Sequence, residues 1–495
     1  MRTGSQITVI GSGFAGLSAA AYLAKAGCEV SVYEKNEQIG GRARQLKTEN
    51  GYVFDMGPSW YWMPDVFDRF FADFGHLTSD FYKLQQLDPQ YALIFGRDEV
   101  MNIPSGLAAI FQMAAGMEHD EGESLRKFLR EAGYKYKIGI DKLVYKPGIS
   151  LAEFADADLI RGIFRLQVFT SLRSHIRRNF RHPWLRLLME FPALFLGATA
   201  TDTPALYSLM NYAGLALGTW YPYGGFGKVT HAMKTVAEHA GARFYVNEPV
   251  EGFEISEKKI RRVITKKGSY STDGVIGAAD YHHIDQHILE PDFRNYTPKY
   301  WSKRVMAPSS LIFYLGVNKK IDRLLHHNLF FDEDLDVHAG EIYQSPKWPS
   351  RPLFYVCCPS KTDSSVAPAG HENIFILMPL ATGLEDSERT RERYFGTILD
   401  RLEAYCGEDI RPHIDYKRSY CISDFVEDYN SFGGNAYGLA NTLNQTAILK
   451  PSIRNKKVKN LFFAGHLTVP GPGVPPAIIS GNVAANQLLN YLNNN

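Results

Sequence analysis

Hydrophobic and polar residues at the start of the chain follow the order strand, helix, strand. Gln6–Ile10 is a short apolar run, residues 15–26 are rich in alanine and leucine and end at a glycine, and Glu29–Tyr33 alternates polar with β-branched or aromatic residues. Runs of these lengths and periods predict two strands of a parallel sheet joined by a helix. The chain therefore begins in the way that α/β proteins do.

Farther along the chain, segments with a helical pattern alternate with segments that are rich in predicted strands. Residues 118–218 have a mostly helical pattern, residues 252–272 have the pattern of an antiparallel meander, and the chain ends with a buried strand followed by a long helix. The other predicted elements are strands at 52–55, 243–246, 311–315, 374–378 and 461–464, a hairpin over 90–103 that turns at 96–98, and helices at 66–74, 228–239, 391–405 and 477–492.

Composition narrows the class of protein. The chain has 495 residues, of which 45% are hydrophobic and 22% charged, and its formal net charge is +1. This length exceeds what one core supports and indicates two domains, or three at most. A net charge near zero gives no general attraction to polyanions, so no nucleic-acid partner is expected. The sequence leaves the oligomeric state open.

Leader, anchor and cysteine patterns point to a cytoplasmic protein. The amino terminus has no charged-then-apolar leader, and no window holds the roughly 18 apolar residues of a spanning helix, so we expect neither signal peptide nor membrane span. The cysteine count is odd and shows no CxxC or zinc-like spacing, which favours reduced thiols and predicts no metal site. The cysteines are Cys28, Cys357, Cys358, Cys406 and Cys421.

A glycine-rich turn joins the first predicted strand to the first predicted helix. The run Gly11-Ser12-Gly13-Phe14-Ala15-Gly16 is a GxGxxG motif, and Glu34 ends the second strand. Gly11 permits a tight turn, Gly13 lets the backbone approach a pyrophosphate, and Gly16 lets the helix pack on the strand. The helix amino terminus offers free N–H groups to phosphate, and Glu34 can accept hydrogen bonds from a ribose. The alternative is that these glycines serve packing alone.

A second glycine pair favours FAD over a nicotinamide dinucleotide. Gly40-Gly41-Arg42 follows Glu34 closely, and Arg42 supplies a fixed fork of donors for phosphate oxygens. The negative charge of Glu34 disfavours the 2′-phosphate of NADP. In isolation a Gly-Gly-Arg run is an ordinary turn with a solvated arginine; after this β-α-β unit it indicates the far side of a long dinucleotide.

These motifs resemble the FAD-binding flavin amine oxidase superfamily, and within it the bacterial-type phytoene and carotenoid desaturases. The order and spacing match over nearly the whole chain. The matching runs are residues 9–44, Asp55-Met56-Gly57-Pro58-Ser59, Trp220-Tyr221-Pro222-Tyr223-Gly224-Gly225, Phe463-Ala464-Gly465-His466, Pro470-Gly471-Pro472-Gly473-Val474-Pro475 and Ser480-Gly481.

The resemblance implies roles for matching positions around FAD. His466 departs from the pattern, because several relatives carry an acidic residue or alanine there. The implied roles are the ADP half for Gly11, Gly13, Phe14, Ala15, Gly16, Glu34, Lys35, Gly40, Gly41 and Arg42, the flavin surroundings for Gly57, Pro58 and Ser59, the adenine for the backbone of Val250, and the flavin ring, through a helix amino terminus, for Gly465, His466, Gly473, Val474, Pro475, Pro476 and Ala477.

The fold class that follows is α/β. We predict a discontinuous, Rossmann-type FAD-binding domain like that of glutathione reductase, formed by residues 1–75, 220–290 and 455–495. An inserted α+β substrate domain, associated with the membrane, would comprise residues 76–219 and 291–454. The implied function is an FAD-dependent carotenoid desaturase that transfers hydride from a long isoprenoid polyene to FAD and thereby introduces conjugated double bonds.

Desaturation of a hydrocarbon needs little acid–base help from the protein, because the flavin carries the hydride chemistry. The sequence identifies no catalytic residue, and its one candidate for a proton acceptor is Glu153. In Ser150-Leu151-Ala152-Glu153, however, the favoured role of that carboxylate is a capping box at the start of a helix.

A basic segment suggests contact with a membrane. Residues 161–189 hold seven arginines and no acid, with Arg173, Arg177 and Arg181 recurring at every fourth position and Leu172, Ile176 and Phe180 beside them. A lipid-soluble substrate favours a helix that lies on the inner face of the cell membrane. The alternative is a solvated arginine face over a helix that packs on the core.

Three other functions remain open at this stage. A carotenoid isomerase or oxygenase could share the scaffold. An amine oxidase would need an aromatic cage at the flavin, and many attach flavin through a carboxy-terminal cysteine, whereas no cysteine follows Cys421. A prenyl-protein escort module would share the fold without flavin chemistry, and the intact glycine triplet with Glu34 argues against it.

Overall fold

The computed structural model describes residues 4–150, 153 and 166–494. Most predicted elements occur within a few residues of their expected positions. The strands are β1 (Gln6–Ile10), β2 (Glu29–Tyr33), β3 (Gln45–Lys47), β4 (Val53–Asp55), β5 (Leu84–Gln86), β6 (Tyr91–Ile94), β7 (Val100–Ile103), β8 (Trp220–Pro222), β9 (Arg243–Tyr245), β10 (Val250–Ser256), β11 (Lys259–Thr265), β12 (Gly268–Ser271), β13 (Gly274–Gly277), β14 (Ser309–Val317), β15 (His327–Phe330), β16 (Phe354–Cys357), β17 (Glu372–Leu380), β18 (Ile414–Tyr420) and β19 (Leu461–Phe463).

The helices include the predicted long carboxy-terminal one. They are α1 (Phe14–Lys25), α2 (Pro64–Asp73), α3 (Leu107–Met117), α4 (Glu121–Ile138), α5 (Leu172–Asn179), α6 (Pro183–Glu190), α7 (Leu209–Asn211), α8 (Phe226–His239), α9 (Tyr281–His283), α10 (Pro298–Trp301), α11 (Leu335–Tyr343), α12 (Glu388–Cys406), α13 (Ile422–Tyr429) and α14 (Val474–Asn493).

A parallel sheet gathers strands from distant parts of the chain. Its order is β19-β13-β1-β2-β9, and each neighbouring pair is parallel. Because the carboxyl ends of parallel strands meet at one edge, the turns after β1, β2, β13 and β19 lie close together there. This sheet agrees with the predicted α/β class.

A second, larger sheet is mostly antiparallel. Its order is β18-β14-β17-β16-β15-β6-β7, and β6 pairs in parallel with β15. Strand β14 is buried along its whole length, since helix α12 packs Tyr394, Ile398 and Leu402 into the core on one side of this sheet. The predicted hairpin over 90–103 forms β6 and β7 at its edge.

The helical middle of the chain corrects the prediction of a lipid-facing stripe. Leu172, Ile176 and Phe180 are at most 1% exposed and belong to the hydrophobic core. Arg173, on the same helix, is ion-paired with Glu190 and Asp336. An amphipathic helix has the same period on a membrane and on a core, and here the apolar face packs on protein. Residues 161–165 of the basic segment lie outside the described residues.

The helices of the described ranges include none that is long and apolar enough to cross a bilayer. All five cysteines are free thiols, and four of them are buried.

Candidate functional site

The glycine turn after β1 brings helix α1 onto the strand. Gly11 has a φ of +93°, a value that favours glycine. A Cβ on Gly16 would lie 1.9 Å from the carbonyl oxygen of Gly11, so only hydrogen fits between the turn and the helix. Phe14 and Ala15 complete the first turn of α1, and none of the described side chains caps it. Its leading N–H groups therefore remain available to an anion.

Glu34 is fastened to this turn. The carboxylate is 5% exposed and accepts hydrogen bonds from the backbone N–H of Ser12 at 2.9 Å, from the Ser12 hydroxyl at 2.8 Å and from the N–H of Asn36 at 2.9 Å. A carboxylate accepts about four hydrogen bonds. One acceptor position is left for a hydroxyl group beside the turn.

The two glycine-rich loops face each other. The N–H of Gly40 donates to the Ser12 carbonyl at 2.9 Å, and a Cβ on Gly41 would lie 3.1 Å from the Cα of Gly13. Gly57 is equally close-packed, because a Cβ there would be 2.7 Å from the Arg42 carbonyl oxygen. Backbone therefore lines a cradle in which side chains are excluded.

Arg42 lies beside the cradle without a full set of partners. Its Nη2 donates to the Ser431 hydroxyl at 3.0 Å and to the Asn435 carbonyl at 3.2 Å, and its guanidinium lies 5.0 Å from the centre of the Tyr429 ring. The Nε atom is buried and finds no hydrogen-bond partner within the described part of the chain. Burial lowers the pKa of Arg42. A buried arginine donor that has no hydrogen-bond partner among the described residues fits the pyrophosphate of FAD.

Asp280 and His466 follow the carboxyl ends of β13 and β19. Burial raises the pKa of Asp280 to about 6, and the nearby Arg42 guanidinium partly opposes that rise. His466 Nε2 lies 3.9 Å from Asp280 Oδ2. Burial, together with the cations of Arg42 and Lys450, holds the pKa of His466 well below its usual range. The ring therefore faces Asp280 as a neutral imidazole.

The carboxy-terminal helix packs directly on α1. A Cβ on Gly481 would lie 2.2 Å from the Ala15 carbonyl oxygen, and Ser480 accepts a hydrogen bond from the Gly465 N–H at 2.9 Å. Gly473, with a φ of +110°, precedes the helix start at Val474. Pro475, Pro476 and Ala477 complete the first turn and are half-buried. The amino termini of α1 and α14 thus belong to one packed unit.

Lys450 is a site residue that no motif indicates. Its side chain is buried, and the ammonium has no hydrogen-bond partner among residues 4–150, 153 and 166–494. A Cβ on Gly471 would lie 3.2 Å from Nζ, which places the cation against the loop that leads into α14. Burial lowers the pKa of Lys450 to about 7. An isolated lysine next to a proline carries no sequence signal for this position.

An aromatic wall adjoins the Gly57-Pro58-Ser59 segment. We use this name for Trp60, Tyr91, Phe191, His327 and Tyr355. Trp60 stacks on His327 at 4.2 Å and lies 5.2 Å from Tyr91, 5.6 Å from Tyr355 and 6.4 Å from Phe191. The Tyr355 hydroxyl donates to Ser59 at 3.0 Å. The wall therefore connects the second sheet and the helical middle to residues expected near the flavin.

Three predicted positions lie away from the cradle's glycines. Val250 opens β10, two residues after Glu248, whose N–H donates to the Glu34 carbonyl at 2.8 Å. Lys35 Nζ donates to the Glu427 carbonyl. Glu153 accepts hydrogen bonds from the N–H groups of residues 148, 149 and 150 at 2.8–2.9 Å, which is a structural task for both carboxylate oxygens.

Comparisons with known proteins agree with these features. Residues 14–489 match the family of flavin containing amine oxidoreductases. A carotenoid 3,4-desaturase of Haloarcula japonica is 40% identical over 490 residues, which cover 98% of each chain. A zeta-carotene-forming phytoene desaturase of Myxococcus xanthus is 29% identical over 495 residues, covering 99% of this chain and 94% of the relative.

Solved structures share the fold. Wild-type putrescine oxidase bound to putrescine superimposes with a TM-score of 0.63 at 16% identity, covering 98% of this chain and 99% of that one. An oxidoreductase from Methanosarcina mazei superimposes with a TM-score of 0.60 at 16% identity, covering 97% and 100%. These likenesses confirm the predicted α/β fold.

The family match confirms both the predicted cofactor, FAD, and the predicted enzyme class. The chain belongs to the flavin containing amine oxidoreductase family and, within it, to the carotenoid desaturases, and is an FAD-dependent oxidoreductase.

Proposed function

We propose that the protein desaturates a long isoprenoid polyene in carotenoid synthesis. Bound FAD would supply the hydride acceptor for this reaction, in which two neighbouring substrate carbons lose a hydride and a proton. The observation that carries this proposal is the 40% identity, across 98% of both chains, to a relative named carotenoid 3,4-desaturase. The roles of individual residues below belong to the same proposal.

Arg42 and the glycine cradle would hold the ADP half of FAD. The unpartnered Nε of Arg42 and the leading N–H groups of α1 can both donate to pyrophosphate oxygens. Glu34 would accept from the ribose, and the backbone of Val250 would meet the adenine. Gly473, Val474 and the first turn of α14 would place the positive end of a helix dipole at the flavin ring, where reduction adds negative charge.

The aromatic wall would orient the polyene and exclude water. Its members are flat, and Phe331, whose ring centre lies 6.2 Å from that of Phe191, extends it. Large aromatic surfaces remove apolar chains from water over a wide area, which suits a substrate without charged groups. Ser59 lies at the end of this wall that adjoins Gly57, so substrate and cofactor would meet there.

A product analysis tests the proposal against its alternatives. The purified protein is incubated with phytoene in liposomes and a quinone, and the polyenes are separated by mass and absorption spectrum. A desaturase yields products lighter by pairs of hydrogen atoms and absorbing at longer wavelength. An isomerase leaves the mass unchanged, and an oxygenase adds oxygen, so either result would refute desaturation.

The division of the chain into two domains is also proposed. Residues 1–75, 220–290 and 455–495 would form the FAD-binding domain, and residues 76–219 and 291–454 the substrate domain. The parallel sheet, whose strands all come from the first set of segments, supports this division.

We further propose that the protein works at a membrane surface. Arg177, Arg178 and Arg181 are exposed, and Phe169 is 84% exposed nearby along the chain. Exposed arginines next to an exposed aromatic ring suit anionic lipid. Co-sedimentation with anionic liposomes at low salt is expected, and replacement of Arg178 and Arg181 by glutamate should reduce it. Equal recovery of both proteins in the supernatant would contradict the proposal.

A further inference from the structure

Three side chains with metal-ligating atoms converge next to the aromatic wall, and one of them is His327 of the wall itself. The nearest ligand atoms of His326, His327 and Cys357 all lie within 4.8 Å of one another, and all three residues are buried. Two imidazoles and a thiol form a donor set that suits zinc and neighbouring transition metals.

Strand pairing produces this convergence. His327 and Cys357 are directly opposed partners in the antiparallel pair of β15 and β16, so their side chains lie on the same face of the sheet. The N–H of Cys358 donates to the His326 carbonyl at 2.8 Å, which fixes the residue before β15 against the end of β16. Backbone pairing therefore holds the three residues together without any ion.

Hydrogen bonds orient both imidazoles for coordination. His326 Nδ1 lies 2.7 Å from the Thr362 hydroxyl, and His327 Nδ1 lies 2.6 Å from the Tyr355 hydroxyl. The two Nε2 atoms are buried and lack a hydrogen-bond partner anywhere in the described ranges. In metal sites the second ring nitrogen of a histidine ligand is held in this way, and the first points at the ion.

The surroundings offer space and negative charge. A small cavity of about 20 Å³, which has room for about one water-sized ion, is lined by His326 and Cys357 together with Asp55 and Ser59. Asp55, whose carboxyl oxygens accept from Phe226 N–H at 2.8 Å and Gln45 Nε2 at 2.9 Å, places an acidic group on the same cavity. Its carboxylate form favours a cation in a low-dielectric interior.

We propose that His326 Nε2, His327 Nε2 and Cys357 Sγ bind one divalent transition-metal ion of the zinc type. Zinc lies roughly 2.0–2.3 Å from nitrogen and sulfur ligands, so a contraction on the order of 1 Å closes the cluster around it. Binding forms the Sγ–metal bond and releases the thiol proton to water. A cavity oxygen donor, or water, takes the fourth position. The ion links β15 to β16 near Trp60 and Tyr355. This link stiffens the aromatic wall.

The test uses the full-length, untagged protein with FAD bound. The protein is loaded with Zn²⁺, freed of loose metal by gel filtration, and analysed by mass spectrometry of the elements. We expect one zinc per chain, retained by Cys358→Ser, whose buried sulfur lies near Ser360 and Glu372 instead. Cys357→Ser and His326→Gln should bind zinc at least about tenfold more weakly. Co²⁺ loading should add absorption at wavelengths beyond those of oxidised flavin.

Two results would overturn the site. One is a wild-type protein that retains no zinc after loading although its FAD content is complete. The other is a Cys357→Ser variant that retains zinc as tightly as Cys358→Ser. FAD absorbance and circular dichroism report whether each variant is folded, and the wild-type measurement decides the matter even if a variant fails to fold. Desaturase activity is not measured in this test. Its failure and a failure of the proposed function can therefore be distinguished.

Discussion

Gly16 meets the carbonyl oxygen of Gly11 so closely that a Cβ at position 16 would lie 1.9 Å from it. The contact fixes the start of α1 against the end of β1, and both residues belong to the turn that would hold the pyrophosphate. Backbone atoms on both sides leave no flexible group that can yield. The phosphate-binding geometry therefore depends on the absence of one methyl group.

Gly16→Ala should destabilise the protein and abolish retention of FAD. Overpacking against rigid backbone costs about 3 kcal/mol, and the turn must open to relieve it. Gly116→Ala is the matched control, because a Cβ there would meet no described atom within 4 Å. Thermal unfolding and the ratio of flavin to protein absorbance measure the two effects. A yellow Gly16→Ala protein with wild-type stability would contradict this role of the glycine.

Arg42→Met should weaken FAD binding without weakening the protein that lacks FAD. A charge-assisted hydrogen bond contributes about 1.5–3 kcal/mol, so the dissociation constant of FAD should rise roughly tenfold to a hundredfold. The FAD-free protein should keep or gain stability, since the substitution removes a buried donor, Nε, that has no partner in the described ranges. Fluorescence titration with FAD and unfolding of the FAD-free protein give the two values. Equal losses in both would indicate a structural role instead.

Trp60→Ala should separate substrate handling from cofactor binding. Loss of the ring removes the stacking partner of His327 and the contact with Phe191, so the polyene is held less firmly. Conversion should fall about tenfold or more while the FAD content is unchanged. Trp348→Ala is the control, because Trp348 packs on Tyr394 of α12, outside the aromatic wall. Steady-state rates and flavin content test this. Unchanged conversion by Trp60→Ala would contradict a role of the aromatic wall in holding the polyene.

Burial of Lys450 should make the free energy of unfolding depend on pH. Its pKa is lowered to about 7 in the folded protein, against about 10.4 in the unfolded chain. Between these values the unfolded chain binds more protons, so this residue makes stability rise with pH from about 7 to about 10. Below about pH 7, Lys450 is protonated in both states, and its burial then destabilises the folded protein to the full extent. This lowers the free energy of unfolding by several kcal/mol at most.

Lys450→Met should therefore be more stable than the wild type at neutral pH when FAD is absent. The difference between the two proteins should shrink toward pH 10, as measured by urea unfolding at a series of pH values. Lys135→Met is the contrasting variant, because the buried ammonium group of Lys135 lies 2.9 Å from the Glu131 carboxylate. Removing one partner of this ion pair should make the protein less stable. A constant difference across the pH range would show that Lys450 is not the titrating group.

The parts of the fold that the sequence predicts are those with local causes. Gly11, Gly13 and Gly16 lie within one turn, and their spacing, together with the apolar runs on either side, predicts a strand before them and a helix after them. Each of the long predicted elements occurs for the same reason, since its period depends on neighbouring residues. The resemblance to carotenoid desaturases extended this reading to the distant carboxy-terminal loop.

Other features depend on pairing between distant segments. The order of the second sheet, with β6 beside β15, and the register that opposes His327 to Cys357 cannot be derived from either strand alone. The arrangement that supports the proposed metal site is therefore invisible in the sequence, which predicts no metal site. The pattern of Leu172 and Ile176 fits a core and a membrane equally, and only their burial decides between the two. Lys450 is conspicuous only because the described residues around its ammonium group include no hydrogen-bond partner.

Anaerobic single-turnover reduction of the bound flavin directly tests whether the protein takes hydrogen from a polyene. The purified yellow protein is mixed with phytoene in liposomes in the absence of oxygen and quinone, and the spectrum is followed. We expect loss of the oxidised flavin absorbance, matched by a polyene band at longer wavelength in equal amount. A flavin that is bleached by a small amine and left unchanged by the polyene would contradict it.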